Sequence, residues 1–199
     1  MSNYPYPTIN DLAFVTYSGA RIVFGGLYVT GQPSKEAYPA LAQAAPGAGI
    51  RSVICVRSPS ETEPSSPPYP PVPPFDVQEK DILAKLGVSY TNEFVIQRGM
   101  PQSQFDLTAT QAALRLFRNQ EGMRPALIHC STGDRASSVF AVLLMLVLGV
   151  PNADVIDYCT NCLLLANAQM IGLVQGYRVP ESMAAEAQAV KGKLLHQAS

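Results

Sequence analysis

Residues 127–138 read LIHCSTGDRASS, and within them Cys130, Gly133 and Arg135 stand close together at the end of a short apolar run. A cysteine there opens a short loop, and a strongly apolar stretch begins directly behind it. If the run is a strand and the stretch a helix, the backbone N–H groups of Ser131 to Ala136 converge at a helix N-terminus, whose partial positive charge faces the sulfur. Arg135 adds a planar fork of donors for two anion oxygens. Such a field favours thiolate over thiol, so Cys130 reads as a nucleophile and an oxyanion such as phosphate as its natural guest. Ser131, Thr132, Gly133, Ala136 and Ser137 would then line the anion.

Other reactive side chains take simpler readings. His129 neighbours Cys130 along a strand, and successive strand residues point to opposite faces. It therefore reads as a buried orienting group, and a protease-like Cys-His dyad is rejected. His196, the only other histidine, lies in a polar tail and reads as solvated. Cys159 and Cys162 have CxxC spacing, but no second pair completes the about four ligands of a structural zinc site, and no strand-to-helix context makes them a redox motif. They read as core thiols on a helix, and Cys55 as strand packing. Arg57 and Glu61 lie just past the C-terminal end of that strand, the edge where ligands bind in such folds; Arg57 would hold a substrate anion or form a structural ion pair.

These residues need a scaffold. Residues 27–33, LYVTGQP, predict a short strand entering a turn, with Ser34 capping a helix over 35–45 that the Pro46–Gly49 stretch stops. Residues 51–56 form an apolar, β-branched run between turn signals, as a buried parallel strand should. A helix is expected over 77–86, a strand over 88–96, and an amphipathic helix over 102–120 with Phe105, Leu107, Ala112, Leu114 and Phe117 on its apolar face. The strand at 126–130 leads into the loop and the apolar helix, and 152–165 reads as helical. Alternating strands and helices predict an α/β fold, a mostly parallel short sheet flanked by helices. Between them, residues 58–75 carry eight prolines, so the segment is neither regular helix nor central strand. It reads as an insertion within a single domain spanning 1–199, either covering the domain edge or serving as a lid or docking segment.

Composition narrows the function classes. Of 199 residues, 47% are apolar and 15% charged, with a net charge of -1. So apolar a chain offsets its ordering entropy by burial and is not disordered throughout. A near-zero balance argues against a nucleic-acid binder held by phosphate contacts. The most apolar run, 139–150, rises about 18 Å as helix, short of a roughly 30 Å hydrocarbon core, so it predicts a buried helix and no membrane span. The N-terminus lacks a basic region followed by an apolar one and does not read as a secretory signal. Four cysteines do not make a disulfide scaffold, and a cytoplasmic location is expected.

The pattern His129-Cys130-x-x-Gly133-x-Arg135 resembles the signature loop of the cysteine-dependent (tyrosine and dual-specificity) phosphatase superfamily. Two bacterial subgroups are similar. The beta-lactamase-hydrolase-like phosphatase domain has a comparable Cys-x4-Arg loop, and its upstream landmarks resemble residues 27–33, 49–54 and Arg57…Glu61, so the likeness covers roughly residues 22–150. Atypical tyrosine and phosphoinositide phosphatases carry Gly-Lys-Asp-Arg, matched by Gly133-Asp134-Arg135 with one residue missing. The usual phosphatase loop is Cys-x5-Arg; here the arginine comes one step earlier, and Ala136 follows where Ser or Thr is usual. The shorter loop is also that of rhodanese-like sulfurtransferases, although His-Cys is more a phosphatase habit.

The resemblance implies a phosphatase-like fold with the anion loop between a strand and a buried helix. It further implies hydrolysis of a phosphomonoester, from a phosphoprotein or a small phosphorylated molecule, through a cysteinyl-phosphate with no metal or other cofactor. Cys130 is the implied nucleophile, Arg135 the anion clamp and Asp134 the first candidate general acid; Asp106 and Glu93 are the next two. Two alternatives stay open: sulfur transfer through a Cys130 persulfide, and a non-catalytic anion-binding module.

Overall fold

The computed structural model describes residues 16–17, 20–23, 27–33, 37–43, 49–58, 75–118 and 125–197. Six strands form one sheet: β1 (Thr16–Tyr17), β2 (Ala20–Val23), β3 (Leu27–Thr30), β4 (Ser52–Cys55), β5 (Ser89–Thr91) and β6 (Ala126–His129). Their spatial order is β1-β2-β3-β6-β4-β5. The four strands from β3 to β5 run parallel, and β1 and β2 extend the sheet as antiparallel strands. β3, β4 and β6 are buried at every residue, as expected when helices cover both faces of a parallel sheet.

Alternation along each strand divides the core in two. Leu27, Val29, Ile54, Val56, Ala126, Ile128 and Cys130 belong to the larger cluster, with α3 (Gln102–Arg118), α4 (Asp134–Leu143), α5 (Asn152–Cys162) and α6 (Ala168–Gly176). Tyr28, Val53 and Leu127 point the other way, toward α1 (Ala37–Gln43) and α2 (Phe75–Lys85). A last helix, α7 (Ala184–Gln197), follows a 3-10 turn at Glu181–Met183. Cys130 and His129 therefore serve opposite faces of the sheet, the placement that their adjacency predicts.

All ten residues of α4 are buried, consistent with the apolar run behind the cysteine. No helix among the described residues is long and apolar enough to cross a membrane. α4 passes directly into a π-helical turn, Leu144–Leu148, that ends at left-handed Gly149 (φ 66°). No periodicity signal announced that turn.

Several expected elements are adjusted. The strand expected over 88–96 is only Ser89–Thr91, because residues 92–97 leave the ladder and Ile96 instead donates to the Val56 carbonyl at 3.2 Å. Leu107 is exposed (39%) while Phe105, Ala112, Leu114 and Phe117 are buried; it lies outside the stripe those four define. The helix at 152–165 stops at Cys162. Ser34, Lys35, Ala45, Glu61 and residues 59–74 of the proline-rich segment lie outside the described residues.

Candidate active site

β6 ends at His129, and Cys130 starts the turn that leads into α4. Gly133 is the N-cap of α4 with φ 98°, a left-handed conformation that glycine reaches at least cost. A Cβ at this position would meet the Leu164 side chain at 2.3 Å, so steric space as well as backbone angle reserves it for glycine. That turn directs the Gly133 N–H onto the Cys130 sulfur at 3.1 Å. A backbone dipole and a helix N-terminus are thus both aimed at the sulfur, as strand, loop and helix predicted.

Arg135 lies on the first turn of α4 and is buried. Its NH1 donates to the Ile96 carbonyl at 3.3 Å and its NH2 to Ser131 Oγ at 2.9 Å. The guanidinium is therefore folded across the loop, and Cys130 has no solvent exposure. The planar fork of Arg135 is engaged by the Ile96 carbonyl and the Ser131 hydroxyl.

Of the residues expected to line the anion, Ser131, Thr132 and Gly133 are on this loop. Ser137 is not part of the lining. Its N–H bonds the Gly133 carbonyl within the helix at 2.8 Å, its hydroxyl accepts from Leu164 N at 3.2 Å, and the residue is wholly buried. Ala136 is likewise buried, inside α4.

Asp134, the first candidate acid, has both carboxylate oxygens bonded. Its Oδ1 accepts the N–H groups of Ala166 and Asn167, each at 2.8 Å. Its Oδ2 accepts from Thr132 Oγ1 at 2.8 Å and pairs with Arg98 NH2 at 3.5 Å. Burial works to raise this carboxyl, but those N–H and hydroxyl donors and Arg98 outweigh it and hold it below the usual range. A carboxylate so stabilised stays ionised near neutral pH and carries no proton to donate, and its bonds make it the anchor between the loop and segment 164–167. Asp106, on α3, accepts from Gln102 Nε2 at 2.7 Å, and the same amide bonds the Leu173 carbonyl of α6. That is a link between helices. Glu93 lines a cavity of about 480 Å³ with Phe94, Leu114 and Arg115, and Cys130 is not among its lining residues.

On the other face of the sheet, His129 is completely buried, with Nδ1 3.3 Å from the Cys130 carbonyl and Nε2 2.9 Å from Glu79 Oε1 of α2. Burial alone would strip its proton. The Glu79 carboxylate and the Cys55 sulfur beside it overcome that, and the imidazole is held protonated up to about 10. Cys55, paired with His129 across β4 and β6, is resisted by burial but lowered overall by the His129 charge. Glu79 Oε1 also accepts from Tyr38 OH, and from Gln32 Nε2 at 3.1 Å. Arg57 donates to Gln32 Oε1. Arg57 thus belongs to a polar chain through Gln32 to Glu79. Glu79, fifty positions before His129, carries no sequence signal.

Cys159 and Cys162 lie on α5, Cys159 wholly buried, and all four cysteines are free thiols. Burial, with Cys162 adding to it, pushes the Cys159 thiol up, which fits a packing role. His196 falls within α7.

A profile of the tyrosine phosphatase family matches residues 11–190. No curated protein matches the chain by sequence. Among solved structures, the core catalytic domain of Siw14, a PP-IP phosphatase from S. cerevisiae, superposes with a TM-score of 0.62 at 16% identity, covering 92% of this chain and 96% of that one. A mutant form of Tk-PTP gives 0.54 at 13%, covering 89% and 97%. PTPMT1 gives 0.54 at 15%, covering 84% and 94%. At these identities the structures attest the fold, and the profile over most of the chain attests the family. With a cysteine at the strand end, an arginine on the following helix turn and that match, the chain belongs to the tyrosine phosphatase family, within the cysteine-dependent phosphatase superfamily.

Proposed function

We propose that this phosphatase hydrolyses phosphomonoesters at Cys130 through a cysteinyl-phosphate. The observation that carries the reading is the 3.1 Å bond from Gly133 N–H to the Cys130 sulfur at the N-terminus of α4. Cys130 Sγ attacks phosphorus, forming the S–P bond as the P–O ester bond breaks, and Arg135 with the loop amides takes up charge on the equatorial oxygens. The departing oxygen leaves as the aryl-oxide anion or takes a proton from solvent water. Water then cleaves the S–P bond, which releases inorganic phosphate and restores the thiolate.

Asp134 does not supply that proton in this reading, because its carboxylate is committed to the 164–167 segment. Substrates whose leaving group departs with little help are therefore favoured: aryl phosphates, phosphotyrosine among them. Turnover also requires the loop to open, since Arg135 now bonds Ser131 and Ile96. Four free thiols support a reducing compartment such as the cytoplasm. The profile from 11 to 190 supports one domain that includes the proline-rich insertion.

The test is release of phosphate from p-nitrophenyl phosphate and from a phosphotyrosine peptide. The wild type is expected to turn over both and Cys130→Ser neither, with a phosphoryl group trapped on Cys130 in acid-quenched wild type. Equal rates for the two proteins reject the reading. The buried sulfur favours one second reading, anion binding without turnover; phosphate binding by calorimetry with no product from any aryl phosphate supports that one.

A further inference from the structure

On the sheet face opposite the catalytic sulfur, Cys55 Sγ, a Glu79 carboxylate oxygen and a His129 ring nitrogen lie within 4.8 Å of one another. All three residues are buried; Glu79 is 1% exposed and the other two no more than that. We infer that Cys55, Glu79 and His129 form a structural zinc site that holds β4, β6 and α2 together.

The lone pairs point to it. His129 Nδ1 faces the Cys130 carbonyl at 3.3 Å, an acceptor only, so Nδ1 carries the hydrogen and Nε2 is the nitrogen available to a metal. Nε2 approaches Glu79 Oε1 to 2.9 Å, yet it has no aligned hydrogen-bond partner. Glu79 Oε1 is already held by Tyr38 OH and Gln32 Nε2, the outer-shell bonding that fixes a ligating carboxylate. Its other oxygen, Oε2, is buried with no partner at all. Beside these lies the Tyr90 phenol, in hydrogen-bonding contact with Cys55 and Glu79, a further outer-shell group around the site.

Charge agrees with this geometry. A divalent ion balances thiolate, carboxylate and neutral imidazole to zero, the ligands binding deprotonated and their protons passing to solvent. One sulfur, one nitrogen and oxygen donors suit four-coordinate zinc. The site plays no part in phosphoryl transfer and is independent of the function proposed above.

The full chain, unfolded in denaturant with chelator and refolded with one equivalent of Co2+, tests this. Expected are a thiolate-to-cobalt charge-transfer band and the intense visible absorption of a tetrahedral ion. Both should vanish in Cys55→Ser, survive in Cys130→Ser and in Cys159→Ser/Cys162→Ser, and weaken in affinity by at least about 10-fold in Glu79→Gln. Zinc-edge X-ray absorption of the wild type keeps the proposal testable if a variant fails to fold: one sulfur neighbour per zinc is expected. Refolded wild type that binds no Co2+, a band that outlives Cys55→Ser, or two sulfurs per zinc would overturn it.

Discussion

Arg135 and Gly133 carry the sharpest expectations for single side chains. The two ends of the Arg135 guanidinium reach in different directions, to Ile96 and to Ser131, and no lysine ammonium reproduces that fork. Arg135→Lys should therefore lower kcat/KM for an aryl phosphate by about 10²–10³-fold, the usual cost of losing an oxyanion donor, with little change in the thermal midpoint. Gly133→Ala must place a Cβ on Leu164 from a left-handed backbone, so a stability loss of at least about 1–3 kcal/mol in urea unfolding is expected. Asp134→Ala removes three charge-assisted bonds and should cost at least about 1.5–3 kcal/mol. With Asp134 outside proton transfer, as proposed above, its rate loss should be equal for good and poor leaving groups; a loss that grows steeply with leaving-group basicity would restore it as the acid. Cys130 and Arg135 were legible in the sequence because type, spacing and an adjacent glycine coincide there. The roles of Asp134 and Ser137 were not, since the backbone groups that bind them belong to a segment some thirty residues further on.

At the level of elements, legibility followed burial. β3, β4 and β6 are buried throughout, and each is legible as a short run that a turn or loop ends: residues 27–33 enter a turn, 51–56 lie between turn signals, and 126–130 lead into the loop. β5 has only three residues, exposed or half-buried, and its extended continuation has the same composition as a strand, so its end was not visible. The π-helical turn after α4 depends on how Leu144–Leu148 packs, and an unbroken apolar run hides the change of register. α4 itself, buried at all ten residues, is the element on which the site rests. Phe140→Ala in its centre should cost about 3–5 kcal/mol, read as a lower urea midpoint at unchanged slope.

For the molecule as a whole, acid is the informative variable. Asp134 has its folded-state pKa depressed, so its contribution is fully present above the ordinary unfolded value of about 3.9. It is lost as pH falls through the lower folded value. Unfolding free energy followed from pH 6 downward should fall steeply at and below about pH 4, and Asp134→Asn should flatten that descent. A wild type and variant with parallel acid profiles would remove Asp134 from the account.

The loop around Cys130 is joined to distant stretches of chain: Gln32 N–H bonds the Ser131 carbonyl, Ile96 holds Arg135, and Ala166 and Asn167 hold Asp134. Gly31 packs so tightly on this loop that a methyl group there would sit 2.9 Å from the Ser131 oxygen. Ligand-induced ordering should accordingly spread to amides that touch no ligand. Vanadate added to the protein ought to slow deuterium uptake at residues 31–32 and 164–167 together, as one cooperative unit, while α7 exchanges as before.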